Sequence, residues 1–154
     1  MSELLERVAE VADTVLWPAA QDVDRAPIIP RSHLDALADL GLFGQAAPPE
    51  LGGLGLAPPD TRRMLRLIGS GCAATGFAFA QHHGLVGALV RTDNATLRDR
   101  WLAALCGRTL AGIAFAHVRR AGPPVLTAAP LEGGAWRIEG EAPWVTSWGL
   151  AEVF

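Results

Sequence analysis

Lysine and tyrosine are absent from this chain of 154 residues, and all thirteen of its basic residues are arginine. The formal net charge is −3, so there is no electrostatic footprint for nucleic acid. Cysteine is scarce. Cys72 and Cys106 are the only two, too far apart for a CxxC metal or redox motif, and they read as small buried hydrophobes. A long uninterrupted apolar run is also missing. The stretch nearest to one, 71–90, carries Gln81, His82 and His83 at its centre, which favours a buried helix over a membrane span. The N-terminus has Glu3 and Glu6 where a secretory signal would have basic residues and an apolar core. The expected setting is cytoplasmic.

What is present is half hydrophobic and 19% charged, the balance of a globular chain. Residues 2–20 read as a helix in which Leu4, Val8, Val11 and Val15 form a stripe widened by Leu5, Ala12 and Leu16. Pro18 is expected to break it. Ser32 is placed as the N-cap of a short helix that Gly41 stops. A loop over 44–59, rich in Pro and Gly, follows. Asp60 opens a helix that Gly69–Gly71 is expected to interrupt. The small-residue run from Cys72 to Arg91 is apolar almost all round and becomes the central helix. Asn94 caps another helix ending near Gly107.

Near Arg108 the pattern changes to short Gly- and Pro-bounded segments: Leu110 to Phe115, Val125 to Ala129, and Ala135 to Glu139. Glu132-Gly133-Gly134 is a hairpin turn between the last two. The fold class is therefore α+β: an all-α helical domain over 1–107, then the start of an antiparallel β domain over 108–154. The strand section is short for a domain, and the chain reaches Phe154 inside what reads as another strand. It is expected to be an incomplete β domain.

Familiar catalytic patterns fail here. Gly52-Gly53-Leu54-Gly55 has no preceding strand for a dinucleotide fingerprint and no Gly-Lys-Ser/Thr for a phosphate loop. His82 and His83 lie about 100° apart on a helix, so they do not form a metal pair, and one of them is expected to face the core with a satisfied ring nitrogen. No metal site is expected.

Trp144-Val145-Thr146-Ser147 is more informative. On an extended segment Trp144 and Thr146 share a face, placing an aromatic plane beside a hydroxyl. That pairing suits a flat heteroaromatic cofactor such as a flavin. It equally describes an ordinary core tryptophan beside a strand threonine.

The order of the weaker signals adds to this. A helical region leads through Leu40-Gly41-Leu42-Phe43 to Pro49-Glu50-Leu51-Gly52-Gly53-Leu54-Gly55-Leu56. A buried small-residue helix, Arg100-Trp101-Leu102, a strand over Leu110–His117, a hairpin and Trp144-Val145-Thr146 follow. This progression resembles the acyl-CoA dehydrogenase family along essentially the whole chain, as its N-terminal helical domain and the first half of its central β domain. The resemblance implies FAD as cofactor. Ile113, Phe115, Ala116 and His117 would line one side of the flavin, with Trp144 stacked on the ring, Val145 beside it and Thr146 bonded to the hydride-accepting N5. Both side chains are then expected to face one cavity beside the first strand.

The resemblance further implies an acyl-CoA substrate, an electron-transfer partner and a homo-oligomer for the complete enzyme, with the glutamate base lying beyond Phe154. No catalytic residue is assigned within this chain, which as it stands is expected to be inactive on acyl thioesters. Departures are specific. Where the family carries Thr-Glu-Pro and then Ala-Gly-Ser-Asp, this sequence has Ala116-His117-Val118 and Ala121-Gly122-Pro123-Pro124. Ala121 and Gly122 mark the weak substrate-side position. A flavin-dependent monooxygenase on the same scaffold is the alternative enzyme, and a non-catalytic scaffold or interaction module the alternative outside enzymology.

Overall fold

The computed structural model describes residues 2–154, with the side chains of Ser2, His117 and Arg119 outside the described set. Helices come first and a hairpin last. The helices are α1 (Ser2–Val11), α2 (Trp17–Arg25), α3 (Arg31–Asp39), α4 (Pro58–Gly71), α5 (Ala73–Arg91) and α6 (Ala95–Gly107); the strands are β1 (Leu126–Pro130) and β2 (Trp136–Gly140). This is the expected α+β order.

The first helix does not stop at Pro18. A π-type stretch, Ala12–Leu16, joins α1 to α2, and Pro18 sits in the first turn of α2. A proline needs relief from the carbonyl of the preceding turn, and a wider π turn supplies it. The wider turn also rotates the apolar stripe. Val8, Ala12 and Leu16 are buried, whereas Val15, expected on that stripe, is exposed.

Three smaller boundaries also differ from expectation. Pro30, not Ser32, precedes the first turn of α3, and no side chain caps it; proline's fixed φ starts the turn unaided. Pro58 begins α4 two residues before Asp60 for the same reason. Gly69 and Gly71 remain helical, and the break falls at Cys72, which is extended at φ −152°. Gly71 stays because α1–α2 crosses there: a Cβ on it would lie 2.8 Å from the Ala12 carbonyl oxygen. Gly41 ends α3 as expected, at φ +73°, and the Asn94 side chain accepts from the Leu97 amide at 2.9 Å.

The core forms where α1, α3, α4 and α5 meet, around Val8, Leu16, Leu34, Leu37, Phe43, Met64, Ile68 and Phe79. A second cluster joins α5 and α6 through Val86, Leu89, Leu102 and Leu105 and reaches Ala111. Cys72 and Cys106 are free and buried within these two clusters. The 44–56 loop folds onto this bundle as a turn, not a ligand loop. Gly53 is required because an added Cβ would sit 2.0 Å from the Ala47 carbonyl oxygen.

The β region differs most from expectation. β1 and β2 pair antiparallel with Leu126 opposite Gly140 and Pro130 opposite Trp136, and Gly133 and Gly134 turn the corner with positive φ. The Leu110–Phe115 segment is not a strand of this sheet. It is extended, but its only ladder contact among the described residues is a parallel bridge from Ala111 to Val153, and 116–119 curl into a 3₁₀ turn. The chain end is likewise a turn over 146–150 leading to that bridge. No helix of the described residues is long and apolar enough to cross a membrane.

Candidate functional site

The extended segment 110–113 leaves α6 and lies along α5, and three kinds of partner hold it. His82, wholly buried on α5, places one ring nitrogen 3.1 Å from the Phe43 carbonyl and the other 3.1 Å from the Ala111 amide. Since Ala111 N–H donates, Nδ1 accepts, and Nε2 must carry the proton it gives to Phe43. Burial pushes the His82 pKa down to about 4, consistent with a neutral ring. The expectation of a core histidine with a satisfied ring is met at both nitrogens.

The second partner is Glu152. Its Oε2 accepts from the Leu110 amide at 2.7 Å, and its Oε1 takes the Arg31 guanidinium at 2.9 Å. Arg31 also donates to Asp35 at 3.0 Å and to the Arg108 carbonyl, while Arg108 reaches Asp39. Contact with Glu152 chiefly, and with Asp35, raises the Arg31 pKa above its ordinary value against the effect of burial. These side chains are between 35% and 60% exposed, so they act as a positioning network more than a large store of stability.

The third partner is the returning chain. Thr146 N–H donates to Ile113 O at 2.9 Å, and Gly112 N–H donates to Val153 O at 2.8 Å. Gly112 admits this approach because a Cβ there would lie 2.3 Å from the Thr146 carbonyl oxygen. Ser147 then turns the chain at φ +61°, with its hydroxyl buried and unpartnered. A non-glycine residue at positive φ is strained, and such strain concentrates at functional positions.

These contacts place the expected site residues as follows. Ile113 and Thr146 are joined backbone to backbone and half-buried; Val145 is half-buried beside them. Trp144 is 67% exposed and Phe115 71% exposed. Ala116 is exposed in the 3₁₀ turn, as are Ala121 and Gly122 beyond it. The His117 side chain lies outside the described residues. The segment is an open apolar ledge, extended on the far side by Trp148 and Phe154, whose rings lie 5.9 Å apart. Five clefts of the described surface are lined by residues of the helical region, and Trp144 and Thr146 line none of these five.

Sequence reasoning missed Glu152, Arg31 and the Ser147 turn. The available signal for Glu152 was a lone carboxylate in an apolar terminal stretch. Nothing local links it to Arg31, 121 residues away. Among the described residues no cluster of His, Cys, Asp or Glu is arranged to hold a metal ion.

Comparison with known proteins gives this helical bundle and its extended segment a family. The model of the acyl-CoA dehydrogenase N-terminal domain matches residues 1–109; the chain belongs to the acyl-CoA dehydrogenase family. The human mitochondrial short-chain specific acyl-CoA dehydrogenase is 26% identical over 148 residues, covering 94% of this chain and 36% of the human protein. Dibenzothiophene monooxygenase from Paenibacillus sp. A11-2 is 26% identical with a TM-score of 0.74, over 91% of this chain and 34% of that one. A glutaryl-CoA dehydrogenase from Mycobacterium smegmatis, solved in complex with FADH2, shares the fold at a TM-score of 0.84 and 16% identity, over 98% of this chain and 40% of that one. The chain thus spans little more than a third of the length of these proteins.

Proposed function

We propose that this chain forms one wall of the flavin site of an FAD-dependent oxidoreductase, which in its complete form removes hydrogen from adjacent carbons of an acyl thioester. The observation that carries this reading is the Thr146–Ile113 hydrogen bond. It supports a single ledge made of Ile113, Phe115, Ala116 and His117 on one segment and Trp144, Val145 and Thr146 on the other.

The ledge fits a flavin in its chemistry. Trp144 offers an open indole face for stacking. The Thr146 amide is committed to Ile113, which leaves its hydroxyl as the polar handle. A bound flavin supplies reversible hydride acceptance, which no side chain of this chain provides. The residues here hold and orient; the proton-abstracting glutamate, the acyl-CoA contacts beyond Ala121 and Gly122, the electron-transfer partner and the homo-oligomeric contacts are proposed for the complete protein. The boundary between the helical and β domains is proposed at 107/108, and the compartment as the cytoplasm.

A second reading is favoured by one comparison. The Paenibacillus monooxygenase matches at a sequence identity like that of the dehydrogenases, and Ala116-His117-Val118 lacks the hydroxyl and carboxylate usual in the dehydrogenases. The experiment is to reduce the flavin of the complete protein anaerobically with acyl-CoA thioesters. Bleaching of the flavin absorbance supports dehydrogenation. No bleaching, with oxygen-dependent substrate hydroxylation from chemically reduced flavin, selects the monooxygenase. Absence of flavin binding ends both readings.

A further inference from the structure

Two side chains of the helical region, Gln45 and His83, have buried polar atoms without hydrogen-bond partners, and both line one cleft. The cleft has a volume of about 200 Å³ and is lined by Gln45, Thr61, Arg62, Leu65, Ala80 and His83, among others. Gln45 is only 4% exposed, yet its Oε1 accepts no hydrogen bond. Both ring nitrogens of His83 are shut off from solvent and are also unpartnered. The ring is held edge-on to Phe79, with centroids 4.5 Å apart, and stands 5.2 Å from His82. Buried polar atoms are nearly always paired in folded proteins, so two unmatched side chains in one cleft point to a missing partner.

The rest of the lining defines that partner. Burial, with His82 adjacent, pushes the His83 pKa down to about 3. The ring is neutral at pH 7 and needs one donor and one acceptor. Thr61 spends its hydroxyl proton on Pro58 O, 3.0 Å away, so it offers only lone pairs. Arg62 is exposed beside the cleft; among the described ion pairs its neighbour Arg63 holds Asp60, and none involves Arg62. Leu65 and Ala80 supply an apolar wall. A fitting molecule has an anionic end, a short aliphatic body and a hydroxyl that donates to Gln45 while accepting from His83.

We propose that this cleft binds a short hydroxycarboxylate, its carboxylate on Arg62 and its hydroxyl between Gln45 and His83. Binding requires the Gln45 amide and the His83 ring to rotate, because their unpartnered atoms are shut off from the cleft in the structure. None of the flavin-ledge residues lines this cleft, so the proposal stands or falls independently of the flavin reading.

The test is to titrate the 154-residue chain with 3-hydroxybutyrate, butyrate and inorganic phosphate while following the histidine ring NMR signals, with His83→Phe to assign them. The expected result is a saturable shift of the His83 signals and 3-hydroxybutyrate binding about tenfold tighter than butyrate, the discrimination a site built around a ligand hydroxyl gives. Gln45→Leu should abolish that preference. Arg62→Gln should weaken both carboxylates about tenfold through loss of a charge-assisted contact. Absence of a saturable shift, or equal binding of all three ligands, overturns the proposal. So does a Gln45→Leu protein that keeps the preference. If Gln45→Leu does not fold, the wild-type comparison and the surface variant Arg62→Gln still decide.

Discussion

The Nδ1 atom of His82 accepts the backbone amide proton of Ala111 at 3.1 Å, joining the middle of the central helix to the first residues beyond the bundle. Its other nitrogen reaches Phe43 O across the same core. One neutral ring thus satisfies two buried backbone groups from different parts of the chain. His82→Leu should destabilise the fold by about 2–4 kcal/mol, because it orphans both groups while keeping most of the volume. Urea unfolding of the two proteins checks this; a loss under about 0.5 kcal/mol would mean that water replaces the ring at no cost.

The same ring sets a pH dependence. The folded pKa of His82 lies at about 4, below the ordinary value of 6.5, so the unfolded chain binds the proton first as pH falls. Its contribution is complete above about pH 6.5 and is lost progressively down to about pH 4. A depression of this size corresponds to about 3 kcal/mol, and His83 adds to it in the same direction. Unfolding midpoints measured from pH 7.5 to 4 should drop, and His82→Leu should flatten part of that slope. An unchanged slope would exclude His82 as a source.

Glu152→Ala should act locally. It removes the acceptor for Leu110 N–H and the partner of Arg31. Because the charges are partly exposed, the expected cost is about 1 kcal/mol. The sharper readout is amide exchange, which should accelerate at Leu110 and Gly112 while the α4 and α5 amides keep their protection. Uniform acceleration across the bundle would contradict a local role.

Trp144→Ala should leave stability within about 0.5 kcal/mol, since the side chain is largely exposed, and should weaken flavin retention in the complete protein. Thr146→Val should preserve retention better and alter the rate of flavin reduction. Equal retention by wild type and Trp144→Ala would remove Trp144 from the flavin wall.

The helical half was legible because burial there repeats with the helical period. Val8, Ala12 and Leu16 could be read as core from spacing, and Asn94 and Gly41 as helix ends from their side-chain chemistry. The π turn before Pro18 was not legible, since a proline inside an apolar period reads as a break unless the preceding turn widens. Segment 110–115 was misread for a different reason. Its composition suits a strand, but the partners of its backbone groups are His82, Glu152 and a returning turn, all distant in sequence. Trp144 and Thr146 could be singled out from their chemistry, whereas the Arg31–Glu152 contact depends on tertiary closure alone.

The hairpin of β1 and β2 has a consequence of its own. Trp136 and Ile138 stand on one face of β2, both largely exposed, and the whole strand is open to solvent. Two strands alone are marginal in water, so the hairpin would gain order if another surface lay against it. Its amide protection therefore works as a gauge: low while the face is wet, rising when another surface closes over it. Exchange at Arg137 and Glu139 would register such closure before any catalytic assay did.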